Sequence, residues 1–316
     1  MNNSPPSRLI LLATHDCTLR CGYCRVKKFR AAMSTRVLYR AIDLLFRFNR
    51  KKVQLQFFGG EPLLEFGLIK KGTAYAEKQA KRIGKQVDLI LTTNGTLLDG
   101  EKRAFLKEHN FLVECSLDPE KIRHHKKSND VIRNFQALDR AGIPHYFISV
   151  FAPRDVPFLY AHFKDLVDWG FKRIQLNYCL GTDWKTDEIR ELFRQYRKVT
   201  GFLKKRKDVD LINLSSSRKE PVILNAELTV DVNSDLYWEF GGFLEEDFSS
   251  LKKRSLIGKI NDVKGDSPCS LTPSLALRLL LDIYEDKKSR RIIGNNIILG
   301  RAVGRFFQKY KNENTE

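Results

Sequence analysis

Leu9-Ile10-Leu11-Leu12-Ala13-Thr14-His15-Asp16-Cys17-Thr18-Leu19-Arg20-Cys21-Gly22-Tyr23-Cys24 joins a short apolar run to three closely spaced cysteines. The apolar run reads as a buried strand. The cysteines, spaced C-x3-C-x2-C, fall on the loop that follows it. Three thiolates on one short loop can face a single metal centre, and soft sulfur suits iron–sulfur clusters and zinc. A structural zinc site is normally closed by a fourth ligand. A cube of four irons on three cysteines instead leaves one iron open to a ligand. Two other readings stand beside it: a zinc loop completed by His15, or three unrelated buried thiols.

Outward from this stretch, apolar strand-like runs alternate with longer amphipathic segments. The strand candidates are residues 9–13, 53–58, 87–92, 112–116, 145–150 and 173–177. Helical periodicity fills the gaps, for example in 35–48, where Val37, Leu38, Ala41, Ile42, Leu44, Leu45 and Phe48 repeat on one face. Repeated βα units predict a parallel sheet. Six are too few to close the usual eight-stranded barrel. The fold class expected is therefore α/β, a partial parallel (β/α)6 TIM-type barrel with a smaller C-terminal α+β extension. A doubly wound open sheet is the competing architecture. The rhythm changes near Gly181, which divides the chain into a core over 1–180 and an extension over 181–316. In the extension, 187–202, 275–281 and 297–310 read as helices, and 222–232 with 235–240 as a hairpin across Asn233-Ser234.

Further motifs follow the later strands. Phe57-Phe58-Gly59-Gly60-Glu61-Pro62 comes directly after the second, and adjacent glycines let a backbone approach a ligand closely. Thr92-Thr93-Asn94-Gly95-Thr96 follows the third and Ser116-Leu117-Asp118 the fourth. Taken singly, each is an ordinary turn. Together they lie at the C-terminal ends of successive strands, the rim where parallel α/β barrels place their active sites.

With these motifs in place, the sequence resembles the radical S-adenosylmethionine (SAM) superfamily over residues 8 to about 180. The Phe-Phe-Gly-Gly-Glu-Pro string resembles in particular its peptide- and protein-modifying branch, which includes anaerobic sulfatase-maturating enzymes and maturases of ribosomally made peptides. The resemblance implies that Cys17, Cys21 and Cys24 hold a 4Fe–4S cluster whose open iron chelates SAM. It implies that Tyr23 lies against the adenine, and that Gly59, Gly60 and Glu61 receive the SAM amino group. Asn94 would line the pocket and Ser116 reach the SAM carboxylate or ribose. Leu176 would pack on adenine, though as a bare residue it reads as a barrel-core leucine. Pro119 stands where the family has glycine, which puts Asp118 in doubt more than Ser116. Arg123, Lys126 and Lys127 are candidates for the SAM carboxylate. The reaction implied is reductive cleavage of SAM to a 5′-deoxyadenosyl radical that abstracts hydrogen, with electrons from an external donor of ferredoxin or flavodoxin type.

Relatives often carry further clusters in a cysteine-rich C-terminal part that opens with a hairpin, and residues 225–240 faintly resemble that hairpin. The cysteines are missing there, so a single cluster is expected. Cys115, within a strand, reads as a packed small residue. Cys179, just past the sixth strand, is a candidate hydrogen donor or redox thiol, although plain packing is the commoner role. Cys269 is uninformative. The 56 basic against 38 acidic residues give a net charge of +18, which favours acidic partners. A peptide or protein substrate follows from the branch resembled, and a nucleic acid from the charge. A non-catalytic adaptor on the same scaffold is the reading from another class. No apolar run is long enough to span a bilayer, and the first residues lack an export core. A cytoplasmic protein without a membrane partner is expected.

Overall fold

A computed structural model describes residues 8–24, 26–119, 122, 128–215, 227–238, 248–263, 281 and 284–313. Six strands form the centre: β1 (Arg8–Thr14), β2 (Lys52–Gly59), β3 (Gln86–Thr93), β4 (Leu112–Ser116), β5 (His145–Phe151) and β6 (Arg173–Tyr178). They lie in chain order and all pair in parallel. The intervening helices are α1 (Thr35–Arg47), α2 (Phe66–Ile83), α3 (Gly100–Glu108), α4 (Ser128–Ala141) and α5 (Leu159–Asp168). This is the expected partial barrel of βα units. After β6 come α6 (Thr186–Leu203), β7 (Asp210–Leu211), α7 (Ile212–Ser215), β8 (Leu228–Val230), β9 (Asp235–Trp238), α8 (Ser249–Ser255), β10 (Leu256–Lys259) and α9 (Lys287–Glu313). No described helix is long and apolar enough to cross a membrane.

The sheet does not stop where the sequence rhythm changes. β7 pairs parallel with β6 at one edge, and β8 pairs parallel with β1 at the other, Leu9 facing Leu228 and Leu11 facing Val230. β9 and β10 continue antiparallel, giving one ten-stranded sheet. Its described hairpin strands are shorter than expected, and residues 222–226 and 239–240 lie outside the described part. So do 275–280 of the expected helix 275–281. The helix expected over 297–310 starts ten residues earlier, at Lys287, because Asp286 Oδ2 accepts the Ser289 amide at 2.7 Å and caps it.

The two faces of the central strands differ. One face carries Leu9, Leu11, Val53, Leu55, Phe57, Val113, Phe147 and Ile174 into the apolar core shared with the helices. The opposite, lumenal face is polar. Strand register puts Arg8, Gln54, Gln56, Thr92, Glu114 and Tyr146 on it together. Glu114 is its hub. Its carboxylate accepts Gln56 Nε2 at 2.8 Å, Thr92 Oγ1 at 2.7 Å and Tyr146 OH at 2.6 Å, with Arg8 Nη1 at 3.9 Å. A buried carboxylate is tolerated only with such pairing. Glu114→Ala is therefore expected to cost about 3–5 kcal/mol, read as a lower urea midpoint with an unchanged slope.

Candidate metal and cofactor site

The cysteine loop has almost no regular structure of its own, and the ends of the strands hold it in place. Its base is closed where the His15 amide and the Thr14 hydroxyl both donate to the Ala31 carbonyl, at 3.1 and 2.7 Å. The Cys24 amide donates to the Cys21 carbonyl at 3.1 Å, so Gly22 and Tyr23 form the centre of a turn with a cysteine at each end.

From β2, the Gly60 and Glu61 amides donate to the Thr14 and Asp16 carbonyls at 2.8 and 2.9 Å. A Cβ on Gly59 would stand 2.3 Å from the Thr14 carbonyl oxygen, and one on Gly60 2.0 Å from that of Asp16. Gly59 also has φ +135°, a conformation open only to glycine. The two glycines thus first serve contact between backbone and backbone. Glu61 is fully buried. Its Oε1 accepts the Leu63 amide and the Thr93 hydroxyl at 3.1 and 2.8 Å, and its Oε2 the Asn94 amide at 2.9 Å. Its side chain joins the ends of β2 and β3.

From β3, Asn94 Nδ2 donates to Thr18 Oγ1 at 3.1 Å and lies 3.7 Å from Cys17 Sγ, while the Thr18 and Thr96 hydroxyls meet at 2.7 Å. From the end of β4, buried Asp118 accepts the Tyr23 hydroxyl at 2.5 Å, so the residue that Pro119 put in doubt has a defined place. Burial first, and then the Asp118 carboxylate, push the Tyr23 phenol well above its ordinary range and keep it a proton donor. From the end of β6, Cys179 Sγ sits 3.9 Å from the Tyr23 carbonyl oxygen and takes the Thr182 hydroxyl at 3.4 Å. The loop carrying Cys179 is fixed in turn by α9, whose Asn296 accepts the Gly181 amide at 2.8 Å and donates to the Thr182 carbonyl at 2.7 Å.

The three cysteines are half-buried, and none of the described cysteines is in a disulfide. Burial raises the Cys17 thiol, opposed by the Leu19 amide and the charge of Lys28. Donors aim at the sulfurs: the Leu19 amide 3.5 Å from Cys17, and Lys28 Nζ 3.1 Å from Cys24. Such donors suit thiolates bonded to iron. Among the described residues no three His, Cys, Asp or Glu side chains converge on one metal ion. A cube does not need that, because each thiolate takes a different iron. His15 is not a fourth ligand, since its Nε2 is 2.5 Å from Asp231 Oδ1 and its Nδ1 3.2 Å from the Lys27 carbonyl oxygen. The donor set fits a cluster on Cys17, Cys21 and Cys24.

Ser116 shares the lumenal face with Glu114 at the rim end of β4. Leu176 is not brought to this set. Register places it beside Ser149 on the helix side, 1% exposed, with its backbone N–H and carbonyl bonded to the Asn213 amide group at 2.8 and 2.9 Å. Cys115 is packed in β4, where burial raises its thiol strongly. Arg123, Lys126, Lys127 and Cys269 lie outside the described residues. Lys28 and Asp231 were not found by sequence reasoning. Lys28 offered no spacing signal beyond lying four residues past Cys24, and Asp231 none but its place in an alternating strand.

Gly60→Ala is expected to force the Cys17 segment off β2, costing about 1–3 kcal/mol and lowering the iron retained after reconstitution. Thermal melting and iron analysis check the two effects.

The Radical SAM superfamily model matches residues 11–156. An uncharacterized protein of Methanocaldococcus jannaschii is 29% identical over 178 residues, 54% of this chain and 61% of that protein. A cysteine-type anaerobic sulfatase-maturating enzyme of Clostridium novyi is 28% identical over 196 residues, 55% of this chain and 51% of that enzyme. The chain thus spans only part of the curated relatives it matches. In fold it resembles native anSMEcpe with bound AdoMet, with a TM-score of 0.75, 17% identity and 98% of both chains covered. The same protein with AdoMet and a peptide matches with a TM-score of 0.69 and 19% identity, over 94% of this chain and 84% of that one. Over residues 11–156 the chain thus carries a match to the Radical SAM superfamily, a family for which a 4Fe–4S cluster and SAM are the characteristic cofactors.

Proposed function

We propose that the chain reductively cleaves SAM and takes a hydrogen atom from a peptide or protein, modifying it after synthesis. When bound, the reduced cluster and SAM supply a 5′-deoxyadenosyl radical. The chain's own residues supply the rest. Cys17, Cys21 and Cys24 hold the cluster, Asp118 fixes Tyr23 beside it, and Asn94 and Ser116 line the rim against the SAM body. Lys28 lends positive charge to the sulfurs. The observation that carries the reading is the seating of the cysteine loop on the ends of β2, β3, β4 and β6, which puts every rim motif against one loop. A peptide or protein substrate is supported by the likeness to sulfatase-maturating enzymes.

The net charge of +18 favours a second reading, a nucleic acid or nucleotide substrate. Steep loss of substrate binding with salt, together with indifference to peptides, would select it.

Reconstitution with iron and sulfide under anaerobic conditions is expected to load about four irons per chain, the count of one 4Fe–4S cluster. Reduction in the presence of SAM should then release 5′-deoxyadenosine, with a ferredoxin or flavodoxin able to replace a chemical reductant. Cys17→Ala should abolish product and most of the iron. Release of no 5′-deoxyadenosine by the loaded chain would return it to the adaptor reading, and about eight irons or more would overturn the single cluster.

A further inference from the structure

His15 lies between the last residue of β1 and Cys17, and its side chain turns away from the cysteines. The ring is 1% exposed and stacks on Phe29, centroids 4.4 Å apart. An oxygen faces each ring nitrogen, the Lys27 carbonyl at 3.2 Å and the Asp231 carboxylate at 2.5 Å, so the ring bridges two oxygens held by different parts of the chain. One end ties His15 to the return arm of its own loop. The other crosses 216 residues of sequence to the C-terminal hairpin.

Asp231 is held as firmly on its side. It follows directly on β8, itself paired with β1. The Asp231 amide donates to the Asp235 carbonyl at 2.8 Å, and the Ser234 amide to the Asp231 carbonyl at 3.0 Å. Ser234, at φ +73°, sits in a left-handed conformation that closes this turn tightly. The Asp231 carboxylate, 3% exposed, also accepts the Val232 amide at 2.7 Å and faces Lys252 Nζ, on α8, at 3.6 Å. Burial alone would raise this carboxyl, and His15, the Val232 amide and Lys252 outweigh it and hold it below the ordinary range. The hairpin thus presents one fixed anion to the residue that begins the cysteine loop. Apart from this contact, β8 is joined to β1 by strand pairing, Leu9 facing Leu228 and Leu11 facing Val230. The contact between His15 and Asp231 adds a tie from the hairpin to the loop itself.

We propose that Asp231, acting through His15, is a positioning residue for the cysteine loop, and that the β8–β9 hairpin of this chain serves to lock the loop around its cluster. The proposal rests on the reading that Cys17, Cys21 and Cys24 hold that cluster. Removing a hydrogen-bond partner that orients the ligand shell of a metal typically weakens metal binding about 10–100-fold.

The test compares reconstituted wild type with Asp231→Asn, which keeps the shape and an acceptor for the Val232 amide, and with Asp231→Ala. Glu77→Gln is the control, because Glu77 accepts from His109 at 2.8 Å in another histidine–carboxylate pair, on α2 and remote from the cysteines in the fold. Three readouts are taken: far-UV circular dichroism, the rate of iron release to a chelator, and the electron paramagnetic resonance spectrum of the reduced cluster with and without SAM. The expected result is native dichroism, iron release about 10-fold or more faster in the Asp231 variants, and altered g-values on adding SAM. Glu77→Gln should match wild type in iron release and spectrum. Wild-type release and spectrum in both Asp231 variants would overturn the proposal and leave the cluster assignment intact. A wild-type chain that loads no iron would overturn both. Should Asp231→Ala fail to fold, His15→Phe, which keeps a ring to stack on Phe29 and removes both ring nitrogens, decides in its place by the same readouts.

Discussion

Two backbone hydrogen bonds set the terms for the rest of the molecule: those from the Gly60 and Glu61 amides to the Thr14 and Asp16 carbonyls. They fasten a segment with no helix or strand of its own to the end of a rigid one, at a distance that admits no side chain. Most of the rim is arranged around that contact. Glu61 spends its buried carboxylate on the start of the next rim segment, Asn94 and Thr96 meet Thr18, and Asp118 takes Tyr23. A loop so seated loses little freedom when a cluster binds, and the entropy of ordering three cysteines has been met by folding.

The electrostatics divide between two levels of the barrel. At the floor, Glu114 is saturated by neutral and cationic donors from four strands, which lets a polar lumen exist without loose charge. At the rim, positive charge gathers at sulfur: Lys28 faces Cys24, and amide N–H groups face Cys17. Hydrogen bonds and cationic charge at cluster sulfurs move reduction potentials. Lys28 is thus placed to influence the potential of a cluster held there.

What could be read in the sequence was local. The cysteine spacing, Gly59-Gly60-Glu61 and the strand-then-motif order each lie within a few residues, and the structure brings the three together at one rim. The six βα units were legible for the same reason. Leu176 shows the limit. Alternation does not say which face of a strand is which, and here the polar residues Gln175 and Asn177 share the register of the lumenal set while Leu176 goes to the helices. The hairpin was legible as a hairpin but not as a neighbour of β1, because pairing between segments more than 200 residues apart leaves no mark in either. His15 was noticed only as a metal ligand. Its partner was invisible until the fold supplied it.

The pairing of β8 with β1 also has a temporal side. Asp231 is made 216 residues after His15. At about 5–20 residues per second, the loop waits on the order of ten to forty seconds for its last brace. On the proposed role of Asp231, the loop is fully braced only once that residue has been made and folded into place.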